Sequence, residues 1–392
     1  MKVIWSLPVR GERLDSSRGD LVRARSLIDA LRQEGHDVRV VEAEAATATA
    51  AATSVYRRFV RRLLPRRIAL VLRDIGRTVH GFAHGTRVAA AVREHQADLI
   101  VETQVHFAAS GARAARRTGV PLVLDDCSPP DEERALGAGL HQLAPVLFQR
   151  QIAAASCVVV SSSQLARLLQ REGAPARSIR IVPNGVDTAA HTRSATRRAA
   201  TRRALGVGSR CVVAFVGSFQ PWHRTDLLVR ALERLEDPAG FRVVLVGEGP
   251  GLEPTLSLAD AVGVAAHMKA MGPLPAPDVA ALLAACDIGV LPGTNDYGQP
   301  MKLLEYAAAG LPAVAPNLPP VRACLVPERT GLLFPADDAA GLAAALQRLR
   351  DRPALRQTLG AAARERVLRD GSWNRRARAL ISDATPARAT AS

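Results

Sequence analysis

Short runs of β-branched and aliphatic residues alternate along the whole chain with longer stretches of helical spacing, a pattern that predicts βαβ units and parallel sheets. In the first half the predicted strands are Lys2–Leu7, Asp37–Val41, Asp98–Val101, Pro121–Asp125, Cys157–Ser161 and Ile179–Pro183. In the second half they are Cys211–Gly217, Phe241–Gly247, His267–Gly272, Asp287–Leu291, Ala313–Ala315 and Gly331–Phe334. Between the two sets, after the turn Pro183-Asn184-Gly185, the polar and Arg-rich stretch Thr188–Ser209 reads as a linker. The expectation is an α/β chain with an N-terminal domain over 1–187, a linker over 188–209, a C-terminal domain over 210–370, and a last helix with a frayed tail over 371–392. Open α/β sheets bind ligands outside the carboxyl ends of their strands, so two of them predict a central crevice there.

Length and composition agree with two domains: 392 residues exceed what one hydrophobic core organises, and 48% are hydrophobic. The net charge of +15 raises nucleic-acid binding, but the cations are 49 Arg against three Lys (Lys2, Lys269 and Lys302), a skew that beside heavy Ala usage reflects GC-rich coding. Aromatic residues make up 4% and interleave with no basic run, so a base-stacking surface is not expected. Cys127, Cys157, Cys211, Cys286 and Cys324 are odd in number and far apart, and read as buried thiols of a reducing compartment. The apolar run after Met1 is too short for a signal peptide and no stretch suits a membrane span, so a cytoplasmic chain is expected. Residues 56–77 set Arg57, Arg58, Arg61, Arg62, Arg66 and Arg67 around Phe59, Val60, Leu63 and Leu64. A helix there is either a solvated cover of the first sheet or a contact with an anionic membrane surface or acceptor, peripheral at the inner membrane face.

The candidate chemistry concentrates in Asn295-Asp-Tyr-Gly-Gln-Pro-Met-Lys-Leu-Leu-Glu-Tyr-Ala-Ala-Ala-Gly-Leu-Pro-Ala-Val-Ala315. A Gly/Pro loop runs directly into a helix starting near Met301, so unbonded N–H groups and a helix end worth about half an elementary charge are presented to the crevice. A diphosphate fits there. Lys302 stands in the first turn within reach of phosphate oxygens, and Glu305, one turn deeper, can accept both hydroxyls of a ribose. The alternative is an exposed i,i+3 ion pair between the two. No Asp-x-Asp follows a strand in a metal-chelating position, and no His/Cys cluster has ligand spacing, so neither metal nor cofactor is expected.

This block resembles the donor-binding segment of retaining glycosyltransferases of the GT-B fold, family 4, in the variant Pro-x-Lys-Leu-x-Glu-Tyr-x-Ala-x-Gly-x-Pro. Further features stand in family order: the turn near Gly19 before a helix Arg23–Glu34 and Gly35-His36-Asp37-Val38; Pro121-Leu-Val-Leu-Asp125; Pro183-Asn-Gly-Val-Asp187; Phe215-Val-Gly-Ser-Phe-Gln-Pro-Trp-His223; Val246-Gly-Glu-Gly-Pro250; and Trp373. The resemblance implies two Rossmann-like domains with parallel sheets facing a central crevice, and a nucleotide-sugar donor, UDP ahead of GDP or dTDP. It implies transfer to an acceptor hydroxyl with retention, the departing diphosphate helping to take the proton. The acceptor is left open among small molecules, lipid-linked sugars and glycans.

Carried over by position, donor binding falls on Gly19, Gly217, Ser218, His223, Arg224, Gly247, Leu274, Asp296, Gly298, Gln299, Pro300, Met301, Lys302, Leu303 and Glu305. Catalysis falls on His106, Lys302 and Arg224, and acceptor binding on His106 and Asp126. Gly19 reads equally as a plain strand-to-helix turn; of Asp125, Asp126 and Asp131 one is placed to orient an acceptor hydroxyl, though a solvated acidic loop is the simpler account. Two departures stand out. Tyr297, beside Asp296, occupies the place of a Glu that most of the family carries, and Ser218, His223 and Arg224 stand where Arg and Lys commonly hold the diphosphate. A nucleotide-sugar epimerase of the same fold, or a degenerate partner subunit, remains the alternative.

Overall fold

The computed structural model describes residues 1–8, 14–15, 18–43, 66–125, 128, 140–191 and 194–384. The chain divides into two compact units, Met1–Pro183 with the segment from Asn374, and Asn184–Trp373. In the first unit the elements are β1 (Lys2–Leu7), α1 (Gly19–Gln33), β2 (Asp37–Glu42), α2 (Arg66–His95), β3 (Leu99–Thr103), α3 (Ser110–Thr118), β4 (Leu122–Asp125), α4 (Ala144–Ala154), β5 (Cys157–Val160), α5 (Ser163–Arg171) and β6 (Ile179–Ile181). The second unit holds α6 (Ala195–Leu205), β7 (Cys211–Val216), α7 (Thr225–Glu233), β8 (Phe241–Val246), α8 (Leu252–Ala261), β9 (Met268–Ala270), α9 (Ala276–Ala285) and β10 (Ile288–Val290). It continues with α10 (Met301–Ala308), β11 (Ala313–Pro316), α11 (Pro319–Cys324), β12 (Gly331–Phe334), α12 (Ala339–Asp351) and α13 (Pro353–Asp370). A last helix, α14 (Trp373–Ala384), returns the chain to the first unit, where Asn374 donates to Glu34 Oε1 at 3.1 Å.

Each unit is built on a six-stranded sheet, with strand order β2-β1-β3-β4-β5-β6 in the first and β12-β11-β10-β7-β8-β9 in the second. Every pairing within them is parallel. Parallel strands covered on both faces are nearly continuous in apolar residues, and β3, β4, β5 and β10 are buried at every position, with polar residues only where β3 and β4 end, at Glu102, Thr103 and Asp125. In the second unit the two faces of the sheet carry two separate cores, one around Phe215, Leu228, Phe241 and Leu346, the other around Val212, Val244, Tyr306 and Val321.

The strand order reverses once in each sheet. In the first it reverses between β1 and β3, and in the second between β7 and β10. At such a switch point the two crossover helices leave in opposite directions, opening a space outside the carboxyl ends where backbone groups lack sheet partners.

The boundary between units falls at Pro183–Asn184, and the stretch expected as a linker contains α6. Its arginines explain why it is ordered. Arg198 and Arg202 bind Asp287 at 2.7 and 2.9 Å and donate to the carbonyls of Ala284, Cys286 and Ala285, capping α9. The frayed-tail expectation beyond residue 384 and the basic residues 57–65 lie outside the described residues. Cys157, Cys211 and Cys286 are buried thiols and Cys324 is partly buried; Cys127 lies outside the described residues. No helix among the described residues is long and apolar enough to cross a membrane.

Candidate functional site

In the second unit the switch point gathers most of the expected donor residues. Tyr306 fixes its floor. This fully buried ring lies under Gly289, where a Cβ would stand 2.3 Å from it. Its hydroxyl accepts from the N–H of Val216 at 3.1 Å and donates to the carbonyl of Val290 at 3.2 Å, so one side chain joins the last residues of β7 and β10 and sets the depth of α10. Tyr306 was not among the expected site residues; its signal was the tyrosine next to Glu305 in the helix motif.

Pro300 is the N-cap of α10 and no side chain caps the helix, so Met301 and Lys302 present the first turn to the switch point. Lys302 runs back over the end of β7: its Nζ lies 3.0 Å from where a Cβ of Gly217 would stand, 5.1 Å from the centroid of Phe215, and 3.0 Å from His223 Nε2. The ammonium therefore lies against His223, and among the described residues it forms no ion pair with Glu305. Burial lowers the Lys302 pKa to about 8, with Glu305 opposing, and burial beside Lys302 lowers that of His223 to about 3.

Tautomer chemistry sharpens this pair. His223 Nδ1 accepts the backbone N–H of Gln220 at 3.2 Å, so the neutral ring carries its proton on Nε2, facing Lys302. With a protonated lysine, two donors point at one another across 3.0 Å. An anionic oxygen set beside them takes a hydrogen bond from each and removes the conflict.

The loop after β7 is shaped by glycines of the neighbouring loop. Gly247 and Gly249 have φ of +117° and +149°, and Cβ atoms there would meet the carbonyl oxygens of Gly217 and Ser218 at 2.0 and 1.7 Å. Their smallness is thus required by backbone packing, which seats Gly217 and Ser218 at the strand end. Arg224, in the left-handed region at φ 47°, lays its stem against Gly293 after β10. Its guanidinium is held by Asp226 at 3.0 Å and by Asp337, which keep it firmly charged. To hold a phosphate it must leave these carboxylates.

Among the other donor candidates, Asp296 is exposed and Gly298 donates its N–H to Asn295 Oδ1 at 2.7 Å. Gln299 is engaged structurally: its side-chain oxygen accepts the N–H of Asn184, and its carbonyl accepts from Asn184 Nδ2 at 3.1 Å. Leu303 is buried in the core beneath α10, and Leu274 lies partly buried against the same core after β9. Glu305 is partly buried, its pKa raised by desolvation against the pull of His191 and Lys302.

The first unit's switch point is polar and tightly bonded. Glu102, at the end of β3, is buried and accepts from Ser6 Oγ at 2.8 Å, the Gly111 N–H at 2.6 Å and the Ser110 hydroxyl. Desolvation raises its pKa to about 7 against those three bonds. Asp125 is fully buried and paired with Arg23 at 2.8 Å, so the solvated-loop reading does not hold for it. Asp126 and Asp131 lie outside the described residues. His106 is buried against Phe148 at 5.6 Å, with Ser128 Oγ 3.4 Å from Nε2, and the next residue, Phe107, has φ +71°. Gly19 opens α1 with open space where its Cβ would be, so packing within the unit does not demand a glycine. No group of three or more His, Cys, Asp or Glu among the described residues is placed to hold a metal ion.

Two parallel six-stranded Rossmann-like units, each with one switch point, define the GT-B fold. Known proteins carry the assignment to a family. Residues 21–190 match the family model described as Glycosyltransferase Family 4, and residues 210–352 that described as Glycosyl transferases group 1. The chain belongs to glycosyltransferase family 4. It is 32% identical over 292 residues to the D-inositol 3-phosphate glycosyltransferase of Salinispora arenicola, covering 69% of this chain and 64% of that one. It is 29% identical over 212 residues to a GDP-mannose-dependent alpha-(1-6)-phosphatidylinositol monomannoside mannosyltransferase of Mycolicibacterium smegmatis, covering 52% of this chain and 55% of the relative. The chain thus spans under two thirds of the length of either. The crystal structure of Anabaena Alr3699/HepE in complex with UDP matches with a TM-score of 0.73 at 17% identity, over 97% of this chain and 99% of that one.

Proposed function

We propose that this protein transfers a sugar from a nucleoside-diphosphate sugar to an acceptor hydroxyl with retention of anomeric configuration. The observation that carries this is the Lys302–His223 pair at the uncapped start of α10, a cationic and hydrogen-bonding seat at the switch point between β7 and β10. A diphosphate placed there meets the ammonium, the Nε2–H and helix N–H groups together. As the anomeric bond breaks, negative charge grows on the leaving oxygens, so these donors bind the transition state more strongly than the substrate. The leaving diphosphate takes the proton of the incoming hydroxyl on the same face, and no side-chain nucleophile is required. Glu305 accepts the ribose hydroxyls, and His106, at the carboxyl end of β3, contacts the acceptor. Fixed cations take the place of a metal.

UDP is the first donor to test, since HepE was crystallised with it, and GDP follows because the Mycolicibacterium relative is GDP-mannose-dependent. We assign a cytoplasmic location at the inner membrane face, with α2 as the contact. Ile68, Leu72, Ile75, Val79 and Phe82 are exposed along it at helical spacing, a stripe suited to an interfacial position.

The test is a thermal-shift screen of nucleotide sugars followed by turnover, because a ligand bound only by the native state raises the melting temperature. The expected result is a stabilising donor, release of free nucleoside diphosphate with a glycosylated product, and activity that survives EDTA. In that assay Lys302→Met lowers kcat by a hundredfold to a thousandfold, about 3–4 kcal/mol, and raises KM less. Near-normal kcat in a folded Lys302→Met protein would reject the role given to Lys302. Sugar inversion without transfer would indicate an epimerase, and donor binding without turnover on any acceptor a partner subunit.

A further inference from the structure

The donor seat occupies the carboxyl edge of the second sheet; the opposite edge carries a separate feature. Where β7, β8 and β10 begin, a cavity of about 680 Å3 opens among Arg198, Arg202, Arg210, Arg350 and Arg356. Five of its eleven lining residues are arginine, against 49 of 392 in the chain, so the general abundance of arginine does not account for the cluster.

Two carboxylates, Asp237 and Asp287, line the same cavity, which leaves three positive charges in excess. Asp287 is bound twice, by Arg198 and Arg202, and accepts the Val212 N–H at 2.9 Å as well. Asp237 is engaged by Arg350. Arg356 uses Nη1 on the carbonyl of Leu349 at 2.9 Å, and the exposed side chain of Arg210 has no hydrogen-bond or ion-pair partner among the described residues. Like charges gathered in one concavity repel unless an anion is shared between them, and the guanidinium fork matches the oxygens of a phosphate two at a time. The volume lies within the range of about 300–1,000 Å3 usual for small-molecule sites, more than one phosphate needs. No aromatic side chain lines it to stack on a base.

We propose that this cavity is a second anion site, which binds a soluble diphosphate or a phosphorylated small molecule at the amino edge of the sheet, apart from the donor seat. It stands independently of the transfer reaction proposed above.

The test is calorimetric titration of inorganic pyrophosphate into the full-length protein carrying Lys302→Met, which weakens the donor seat and leaves the cavity intact. The expected result is a remaining binding event that weakens at least tenfold in Lys302→Met with Arg210→Glu, and again with Arg356→Gln. Because Arg210 is exposed and unpaired, its substitution leaves the fold in place, which circular dichroism checks. Titration of AMP in parallel separates the sources: tighter pyrophosphate binding assigns the site to free diphosphate, tighter AMP binding to a phosphorylated metabolite, and either supports the site. Loss of all binding in Lys302→Met alone, or binding that Arg210→Glu and Arg356→Gln leave unchanged, would overturn the proposal.

Discussion

Lys302 is one amine among three in the chain, and its surroundings make its charge conditional. Burial, opposed by Glu305, brings its pKa to about 8, while His223, at about 3, stays neutral across the working range. If the ammonium holds the diphosphate, kcat/KM, which reports the free enzyme, falls as pH rises through about 8. Lys302→Arg, charged throughout, removes that fall whatever its absolute rate; a pH–rate profile of both proteins checks this, and an identical alkaline limb in the two would assign it elsewhere. The pKa of Glu102 is shifted in the opposite direction, upward. Its folded pKa, about 7, lies above the ordinary carboxyl value of 4.5, so the native state binds the extra proton. The stability it contributes is complete below about pH 4.5 and is lost as pH rises through about 7, by roughly 3 kcal/mol. Denaturant melts should therefore show Glu102→Gln flattening the decline in stability between pH 5 and 8; an unchanged slope would mean that Glu102 titrates normally.

At the scale of the element, α10 is seated by Tyr306, and the helix is tied to two strand ends because a single hydroxyl bridges them. Tyr306→Phe leaves the Val216 N–H without that acceptor, and the expected loss is about 1–3 kcal/mol in chemical denaturation together with weaker donor binding. Donor affinity unaltered in a destabilised Tyr306→Phe would confine the hydroxyl to a packing role. Helix α2 invites a different measurement. Flotation with anionic vesicles should retain the protein, and Leu72→Ser with Val79→Ser should release most of it; equal flotation of both would dismiss the stripe as a membrane contact.

The strands were legible in the sequence to within a residue or two because buried parallel strands are apolar over most of their length, as β5 is throughout and β4 is up to Asp125, whereas α1 begins at Gly19, ahead of the expected Arg23. The helix start at Met301 was legible from its Gly/Pro approach. What was not legible is pairing across distance. Arg23 and Asp125, His223 and Lys302, and Asn184 and Gln299 lie 102, 79 and 115 residues apart, and no local periodicity encodes such partners. The Arg-rich stretch after residue 188 read as a linker for the same reason, since its carboxylate partner, Asp287, belongs to another element.

Across the whole molecule, positive charge is carried by guanidinium groups to an unusual degree, 49 arginines against three lysines. Arginine resists acylation near neutral pH because its pKa lies above about 12. Lys2 and Lys269 are exposed, whereas burial brings the Lys302 pKa down to about 8. The result is a lysine side chain whose amine is partly uncharged near neutral pH at the candidate donor seat, so the chemistry that fits the seat for a phosphate also makes it an attachment point for a mild active-ester reagent, with bound nucleotide as its protecting group.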